Sequence, residues 1–343
     1  MITRSVSRSI QYMLIGLLII PATLYSDTST ADPHADFSFA LIQFEISESL
    51  FSEVDAIEAK LDELVKNAID RSIRDGQKVD LIVFPEYTSV FLSLAYAAGP
   101  ALAGVEQFAD LFTLLDEPNR TTKSMSGFTD RIAIAPAFEI ALEVARRGNP
   151  EVDRFWKTIA KQYEVDIVAG TYFAIDSISG RLKNRSIVFS RNGRLLYFQD
   201  KVFLTPFEID MIGLSPGFVG KARTFAIRGQ EVAITICRDS FFEVWERNFA
   251  EATLWFDIKA NGTEYTEDEA KLFQTALPER IGATGVPIGG TACLTGRFFD
   301  LFWEGESSIV VFDESDGFRF TAIAGSHDRE SVVLFYSTNS VEE

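Results

Sequence analysis

Histidine and cysteine, the residues behind many catalytic and metal-binding sites, are scarce in this sequence. The 343 residues include two histidines, His34 and His327, and two cysteines. Neither histidine lies in a recognisable motif, and the chain has no H-E-x-x-H helix, C-x-x-C pair or Walker-type lysine loop. The sequence therefore gives no support to metal or nucleotide chemistry, and we expect no metal and no other cofactor. If the chain is an enzyme, carboxylates, lysine and thiol must move its protons.

Basic residues are also few compared with acidic ones. The chain has 32 Lys and Arg against 50 Asp and Glu, a formal net charge of −18. Such a charge repels nucleic acid and anionic lipid, so neither is expected as the main partner. With 47% hydrophobic and 24% charged residues, the composition is typical of a globular protein. A small-molecule substrate fits this balance better than a nucleic acid.

The apolar run near the start of the chain is too short for an ordinary membrane span. It extends from Met13 to Leu24, follows two arginines and is interrupted by Pro21. A basic start, about a dozen apolar residues and a small-residue exit predict a secretory signal in residues 1–31. We therefore expect an exported, secreted or periplasmic protein. The alternative is a membrane tether through residues 10–25.

From residue 36 onward, strand and helix patterns alternate without an internal repeat or linker, which predicts one domain over residues 36–343. Asn192-Gly193 and Arg228-Gly-Gln230 predict two hairpins. Residues 91–150 are less regular and are interpreted as a lid, a subunit contact or a surface elaboration. Together these patterns predict an α/β protein with a mixed sheet covered by helices. Expected helices are centred on 57–69, 137–147, 151–163 and 267–283, and late strands lie at 254–258, 306–312, 318–323 and 331–336.

Three segments place a reactive side chain directly after a predicted strand. They contain Glu86 after Phe84-Pro85, Lys201 after a hairpin, and Cys237 after an apolar strand. Functional groups in α/β proteins gather at such strand ends. Each segment also has an ordinary structural explanation, since a strand cysteine is usually core and the two charged residues are usually at the surface.

Taken together and in this order, the segments resemble the nitrilase or carbon–nitrogen hydrolase superfamily, whose members use a Glu–Lys–Cys triad. The resemblance runs from about residue 37 to 312 and implies an αββα sandwich of the nitrilase type, with mixed β-sheets flanked by helices. It also implies a homodimer or a higher homo-oligomer. The matching residues are Phe84, Pro85 and Glu86; Lys201, Leu204, Pro206 and Glu208; Cys237, Asp239, Phe242 and Glu243; Ala276 to Arg280; and Gly296 with Glu304 to Ser308.

The resemblance assigns a role to each residue. Cys237 is the expected nucleophile, and its thiol pKa is expected to fall because of a nearby ammonium and the start of a following helix. Glu86 is the expected proton acceptor, and Lys201 with the backbone N–H after Cys237 stabilises the developing negative charge. Glu208 orients Lys201 or assists water. The implied activity is hydrolysis of an amide, nitrile or N-carbamoyl bond through a thioester.

Two other functions use the same residues differently. An N-acyltransferase would pass the acyl group from Cys237 to an amine, and a silent descendant would keep the fold as a binding module. Arg238, directly after the nucleophile, either recognises a substrate carboxylate or pairs with an acidic residue of the chain.

Cys293 raises the alternative of a disulfide with Cys237, which would abolish catalysis in an exported protein. Its place in an apparent strand favours a free thiol. N-x-S/T sequons at Asn119, Asn184 and Asn261 matter if the source glycosylates its exported proteins.

Overall fold

The computed structural model describes residues 37–338, except for 52, 75, 103, 104, 106, 108–135, 329 and 330. The expected signal over 1–31, the sequon at Asn119 and much of the irregular region 91–150 lie outside the described residues. Within the described residues, every helix is too short or too polar to cross a membrane.

The strands form two halves that meet at β1. In the first half β1, β2 and β3 run parallel, and β4, β5 and β13 add antiparallel strands. In the second half β7, β8 and β9 run parallel, with β6, β11 and β12 antiparallel beside them. The end of β1, Phe44–Ile46, pairs with β9 and joins the halves. The strands are β1 Ser38–Ile46, β2 Leu81–Phe84, β3 Asp166–Ile175, β4 Leu182–Phe189, β5 Leu195–Asp200, β6 Phe225–Ile227, β7 Gln230–Ile236, β8 Leu254–Lys259, β9 Ile288–Phe298, β10 Leu301–Trp303, β11 Ser308–Asp313, β12 Gly317–Ile323 and β13 Val332–Ser337.

Helices cover the outer face of each half. The outer faces carry α1, α2 and α3 on the first half and α4 and α5 on the second. The fold is therefore an αββα sandwich of mixed sheets, as predicted. The helices are α1 Val54–Arg74, α2 Thr88–Ala98, α3 Pro136–Tyr163, the single turn α4 Glu246–Phe249, and α5 Glu267–Thr284.

Alternation along the central strands explains why both of their faces are apolar. Successive side chains of a strand point to opposite faces. In β1, Phe39 and Leu41 contact the second sheet, whereas Ala40 and Ile42 contact the helices. Each of the larger side chains, Phe39, Leu41 and Ile42, stabilises the fold by roughly 1.5–3 kcal/mol when it is fully buried. The central strands therefore read as continuous apolar runs, and Cys237 comes directly after the run of β7.

Region 91–150 begins with a helix that the sequence did not reveal. Residues 88–98 form α2, and Leu94, Leu102 and Val105 are buried in the core under the first helical layer. These three apolar side chains thus pack inside the molecule.

The two helices expected at 137–147 and 151–163 are one continuous helix, so this prediction was wrong. Proline removes one backbone hydrogen bond and usually interrupts a helix. Here Pro150 lies within α3, where the preceding Asn149 accepts a hydrogen bond from Ser93 Oγ and donates one to the carbonyl of Phe173. Packing against α2 and β3 holds the helix together across the proline.

Candidate active site

Glu86, Lys201 and Cys237 each follow a strand directly, and the fold brings all three together. Glu86 follows β2 and Pro85, Lys201 follows β5, and Cys237 follows β7. The exposed fractions are 0% for Glu86, 1% for Lys201 and 6% for Cys237, so the ordinary surface explanation is wrong for both charged residues. Buried charges require partners, because desolvation is costly.

Glu86 is held by three groups. Its Oε1 accepts hydrogen bonds from Lys201 Nζ at 2.8 Å and from Asn184 Nδ2 at 2.8 Å, and its Oε2 accepts one from the backbone N–H of Ala260 at 3.1 Å. The carbonyl of Ala260 lies 3.9 Å from Cys237 Sγ. Ala260 therefore contacts both groups: its N–H donates to the Glu86 carboxylate, and its carbonyl oxygen faces the Cys237 thiol.

Lys201 lies between two carboxylates. Its Nζ is 2.8 Å from Glu86 Oε1 and 3.0 Å from Glu208 Oε2. Burial opposes the ammonium charge, but Glu86, Cys237 and Glu208 outweigh it, so the pKa of Lys201 is raised above its usual range. Lys201 is consequently a permanent cation at the centre of the site.

Glu208 lies in a single π-helical turn, Phe207–Ile212, and is fully buried. Its Oε2 also accepts from the N–H of Thr205 at 2.8 Å. Burial favours the neutral acid, but Lys201 and the hydrogen bonds lower the pKa of Glu208. Glu208 is therefore an anion paired with Lys201, and both roles expected for it stay predictions.

Two residues of this network escaped the sequence analysis as members of the site. Asn184 Nδ2 donates to Glu86 and to Glu208, both at 2.8 Å, and Tyr87 Oη donates to Glu208 at 3.0 Å. Asn184 is fully buried on β4. Its only local signal was its sequon, which suggests an exposed loop and is misleading here. Tyr87 follows Glu86 and has a positive φ of 65°, which is unusual for a residue other than glycine.

Cys237 occupies a sharp turn at the end of β7. Its φ is 53°, in the left-handed region, and Ser240 Oγ donates to its carbonyl at 2.9 Å. The helix expected next is instead two short 3-10 turns, Cys237–Phe241 and Glu243–Trp245, so no long helix begins at the thiol. Strained backbone of this kind persists only where its surroundings hold it in place.

The thiol pKa also differs from the expectation. Burial, with the charge of Glu86, raises the pKa of Cys237 to about 12, although Lys201 and Lys259 act in the opposite direction. The thiol is therefore neutral at rest. A role as nucleophile would require a nearby base to receive the proton of this thiol.

Glu86 has the proton affinity of such a base. Burial raises the pKa of Glu86 to about 7, with Lys201 opposing the shift.

Asp239, which accepts hydrogen bonds from the N–H groups of Val202 and Phe203, has its pKa raised to about 7 by burial as well. Asp239 thereby joins the segment after Lys201 to the segment after Cys237.

A second buried lysine, Lys259, lies beside Cys237. Lys259 at the end of β8 pairs with Asp257 at 2.6 Å and donates to Ser240 Oγ at 3.0 Å and to the carbonyl of Cys237 at 3.4 Å. Both charged residues are fully buried. Their spacing of two residues inside an apolar strand was a signal that the sequence offered, because it places opposite charges on one face.

A cavity of about 770 Å³, here called the catalytic cavity, opens onto the site. Lys201 and Cys237 line it beside Phe241, Phe273 and Trp303. Arg238 also lines it, is exposed, and donates from Nη1 to the carbonyl of Leu204 at 2.7 Å. Among the described residues it forms no ion pair, so the alternative of an internal acidic partner finds no support there.

Cys293 is a buried free thiol in β9, and Cys237 is also free. The disulfide that would have abolished catalysis is absent. In the described part of the chain, no group of three or more His, Cys, Asp or Glu side chains is arranged to hold a metal ion.

Comparisons with known proteins give structural matches only. No protein-family model and no curated protein matches the sequence. A carbon–nitrogen hydrolase from Helicobacter pylori G27 aligns over 89% of this chain and 90% of its own, with a TM-score of 0.60 and 14% identity. Nit3 of Saccharomyces cerevisiae, a member of branch 10 of the nitrilase superfamily, aligns over 88% and 89%, with a TM-score of 0.56 and 16% identity.

An amidase from Nesterenkonia sp. is similar to the same extent. It aligns over 88% of this chain and 89% of its own, with a TM-score of 0.59 and 16% identity. Identities this low establish likeness of fold. The chain therefore has the nitrilase-type αββα fold that these hydrolases and amidases share.

Proposed function

We propose that this chain belongs to the nitrilase superfamily and hydrolyses a non-peptide carbon–nitrogen bond through a thioester on Cys237. The observation that carries the proposal is the convergence of Glu86, Lys201 with Glu208, and Cys237 from three chain segments, with Lys201 and Cys237 lining one cavity. The Lys201 ammonium, the Glu86 carboxylate with its raised pKa and the neutral Cys237 thiol are the groups that acyl transfer through a cysteine needs.

Acylation begins with attack of Cys237 Sγ on the substrate carbonyl carbon. Glu86 accepts the thiol proton as the S–C bond forms, because the thiol alone does not ionise near neutral pH. Lys201 and the backbone N–H of Arg238 stabilise the oxyanion, and one such donor typically contributes about 3–4 kcal/mol. Glu86 then returns the proton to the nitrogen, the C–N bond breaks, and the amine or ammonia leaves.

Deacylation reverses the proton path. Glu86 takes a proton from water, the water oxygen attacks the thioester carbon, and the C–S bond breaks with the proton returning to sulfur. The acid is released and the enzyme is restored. Glu208 keeps Lys201 charged and in place during both steps, and Asn184 fixes the separation of the two carboxylates.

One solved relative of this fold supports covalent chemistry at the cysteine. In a mutant of the Nesterenkonia sp. AN1 amidase, the acetamide moiety of fluoroacetamide is covalently added to the active-site cysteine. The proposal gives Cys237 the same capacity to form a covalent adduct.

Arg238 is proposed to bind a substrate carboxylate. Only one of its nitrogens is used in its bond to Leu204, and the side chain lies in the catalytic cavity. We expect Arg238→Met to lower kcat/KM about tenfold for amides that carry a terminal carboxylate and to leave uncharged amides within about twofold, the loss of one charge-assisted contact. Steady-state kinetics on matched pairs of substrates measures this difference, and equal effects on both would remove the role.

The test of the activity is intact-mass spectrometry with a panel of amides, nitriles and N-carbamoyl compounds. We expect an acyl adduct and released ammonia with the wild type, and neither with Cys237→Ala. The matched control is Cys293→Ala, which removes the other buried thiol and should keep the adduct.

The remaining outcomes decide between the alternatives. An adduct that transfers to an added primary amine faster than to water would indicate an N-acyltransferase. A folded protein with neither adduct nor ammonia across the whole panel would indicate a binding module and contradict the proposal.

A further inference from the structure

A second cavity, here called the side cavity, adjoins the catalytic cavity under α2 and α3. Its volume is about 80 Å³. The two cavities share the side chains of Tyr87, Phe207, Leu301 and Trp303, so these four residues form the partition between them. A single layer of side chains therefore separates the side cavity from the catalytic cavity at Cys237.

The polarity changes from one cavity to the other. Beyond Tyr87, the described residues that line the side cavity are apolar, among them Val90, Ala141, Val144 and Phe173. The hydroxyl of Tyr87 points to Glu208 on the catalytic side. A ligand spanning both cavities would thus have a polar reacting group at the thiol and an apolar group beyond the partition.

We propose that the side cavity binds an unbranched alkyl chain of the substrate, which makes alkyl amides the preferred substrate class. The proposal rests on the amidase-type activity proposed above. Apolar cavities stay dry and take up apolar ligands, and those that accept benzene have about 150 Å³. A cavity of about 80 Å³ is better matched to a few methylene groups than to an aromatic ring.

The first test is the dependence of kcat/KM on chain length. Each fully buried methylene group is worth a factor of about four. From acetamide through butanamide to hexanamide we expect a rise of at least about tenfold, levelling off for longer chains once the cavity is full. Values within about twofold of one another would overturn the proposal.

An isomeric pair shows on which side of the scissile bond the chain lies. Hexanamide carries four additional methylenes in its acyl group, whereas N-butylacetamide carries the same atoms on nitrogen. Preference for hexanamide places the chain in the acyl group, and preference for N-butylacetamide places it in the leaving amine. A rise over acetamide for neither isomer would overturn the proposal.

Equilibrium binding separates this proposal from the proposed activity. With the Cys237→Ala protein, ligand-observed NMR should give a dissociation constant at least about tenfold lower for the better of the two isomers than for acetamide. This result without turnover by the wild type would support the alkyl site and contradict the hydrolase. Turnover of acetamide by the wild type, without any gain in kcat/KM for longer chains, would support the hydrolase and contradict the alkyl site.

Two variants on different helices test the location. Val90→Phe on α2 and Ala141→Phe on α3 should fill the side cavity and reduce the ratio of kcat/KM for hexanamide to that for acetamide to below about threefold. The matched control is Val244→Phe, at an exposed position that lines neither cavity. Melting temperatures identify a variant that fails to fold. An unchanged ratio in the folded variants would overturn the proposal.

Discussion

Glu86, the proposed base, can accept a proton only while it is ionised, and its buried surroundings make ionisation difficult. Burial raises the pKa of Glu86 to about 7. We therefore expect kcat/KM to fall about tenfold per pH unit below pH 7, because the protonated acid cannot accept the proton of Cys237. Rates for a non-titrating amide between about pH 3.5 and pH 9 measure this limb.

The same profile has an internal control. Because burial raises the pKa of Cys237 to about 12, ionisation of the thiol adds no limb in this range. An acid limb centred near pH 4.5, the usual pKa of a glutamic acid, would show that Glu86 is more hydrated than its buried position indicates.

Some residues of the candidate site could be predicted from the sequence and others could not. Glu86, Lys201 and Cys237 could be found because each follows a predicted strand and because the three segments, in this order, resemble a known family. Asn184 and Tyr87 could not, because their importance comes from contacts with Glu208 and Glu86 that only the fold creates. The pKa of Cys237 was likewise unpredictable, since it depends on burial.

At the scale of elements, β8 carries a buried charged pair, Asp257 and Lys259, next to the turn at Cys237. Lys259→Met would leave the Asp257 carboxylate buried without its partner. Breaking such a pair costs about 3–5 kcal/mol, so we expect the free energy of unfolding to fall by that amount. Urea denaturation measures it.

The control for this variant removes both charges. Asp257→Asn combined with Lys259→Met leaves no uncompensated charge, and it should recover most of the lost stability. If the single and double variants are equally stable, the unpaired Asp257 carboxylate is not the source of the loss.

The crossing of α2 and α3 depends on a glycine. A Cβ atom at Gly148 would lie 2.2 Å from the carbonyl oxygen of Ser93, so the backbones approach too closely for any side chain. We expect Gly148→Ala to lower the free energy of unfolding by about 1–3 kcal/mol or more, because the helices must separate. Gly282→Ala on α5, where the nearest atom is 3.6 Å away, should be neutral or stabilising by up to about 1 kcal/mol.

Comparison of the two thermal transitions measures this difference directly. Equal losses of stability for the two variants would mean that replacing any helical glycine is costly, whether or not it lies at the helix crossing.

The sequence alone predicted a break in α3 at Pro150, since local propensity there favours a break. Contacts of Asn149 with α2 and β3 override it, and such contacts cannot be read from a local pattern.

At the scale of the whole molecule, the site joins the two halves of the sandwich. Glu86 belongs to the first sheet and Ala260 to the second, and their hydrogen bond spans 174 residues of sequence. The αββα architecture was predictable because the ordered Glu86, Lys201 and Cys237 segments resemble a family that has it, and the alternating apolar runs and helices agree with it. The two cavities were not, because they arise where the ends of both sheets meet the helices and loops.

Asn184 is buried in the folded protein, and a glycan on its side chain is incompatible with that position. The residue lies in an N-x-S sequon, yet its side-chain nitrogen donates to both glutamates in a space with no room for a glycan. In a host that attaches glycans during export, every chain modified at Asn184 is lost to catalysis. Ser186→Ala deletes the sequon at little cost, because Ser186 Oγ has no hydrogen-bond partner among the described residues.

We therefore expect this variant, produced in a eukaryotic secretory host, to have the higher specific activity. Peptide mass spectrometry should find the glycan at Asn184 only in the inactive fraction of the wild type. Equal activities and an unmodified Asn184 would instead mean that β4 folds before the glycan can be attached. The choice of production host thus becomes an experimental variable for this protein.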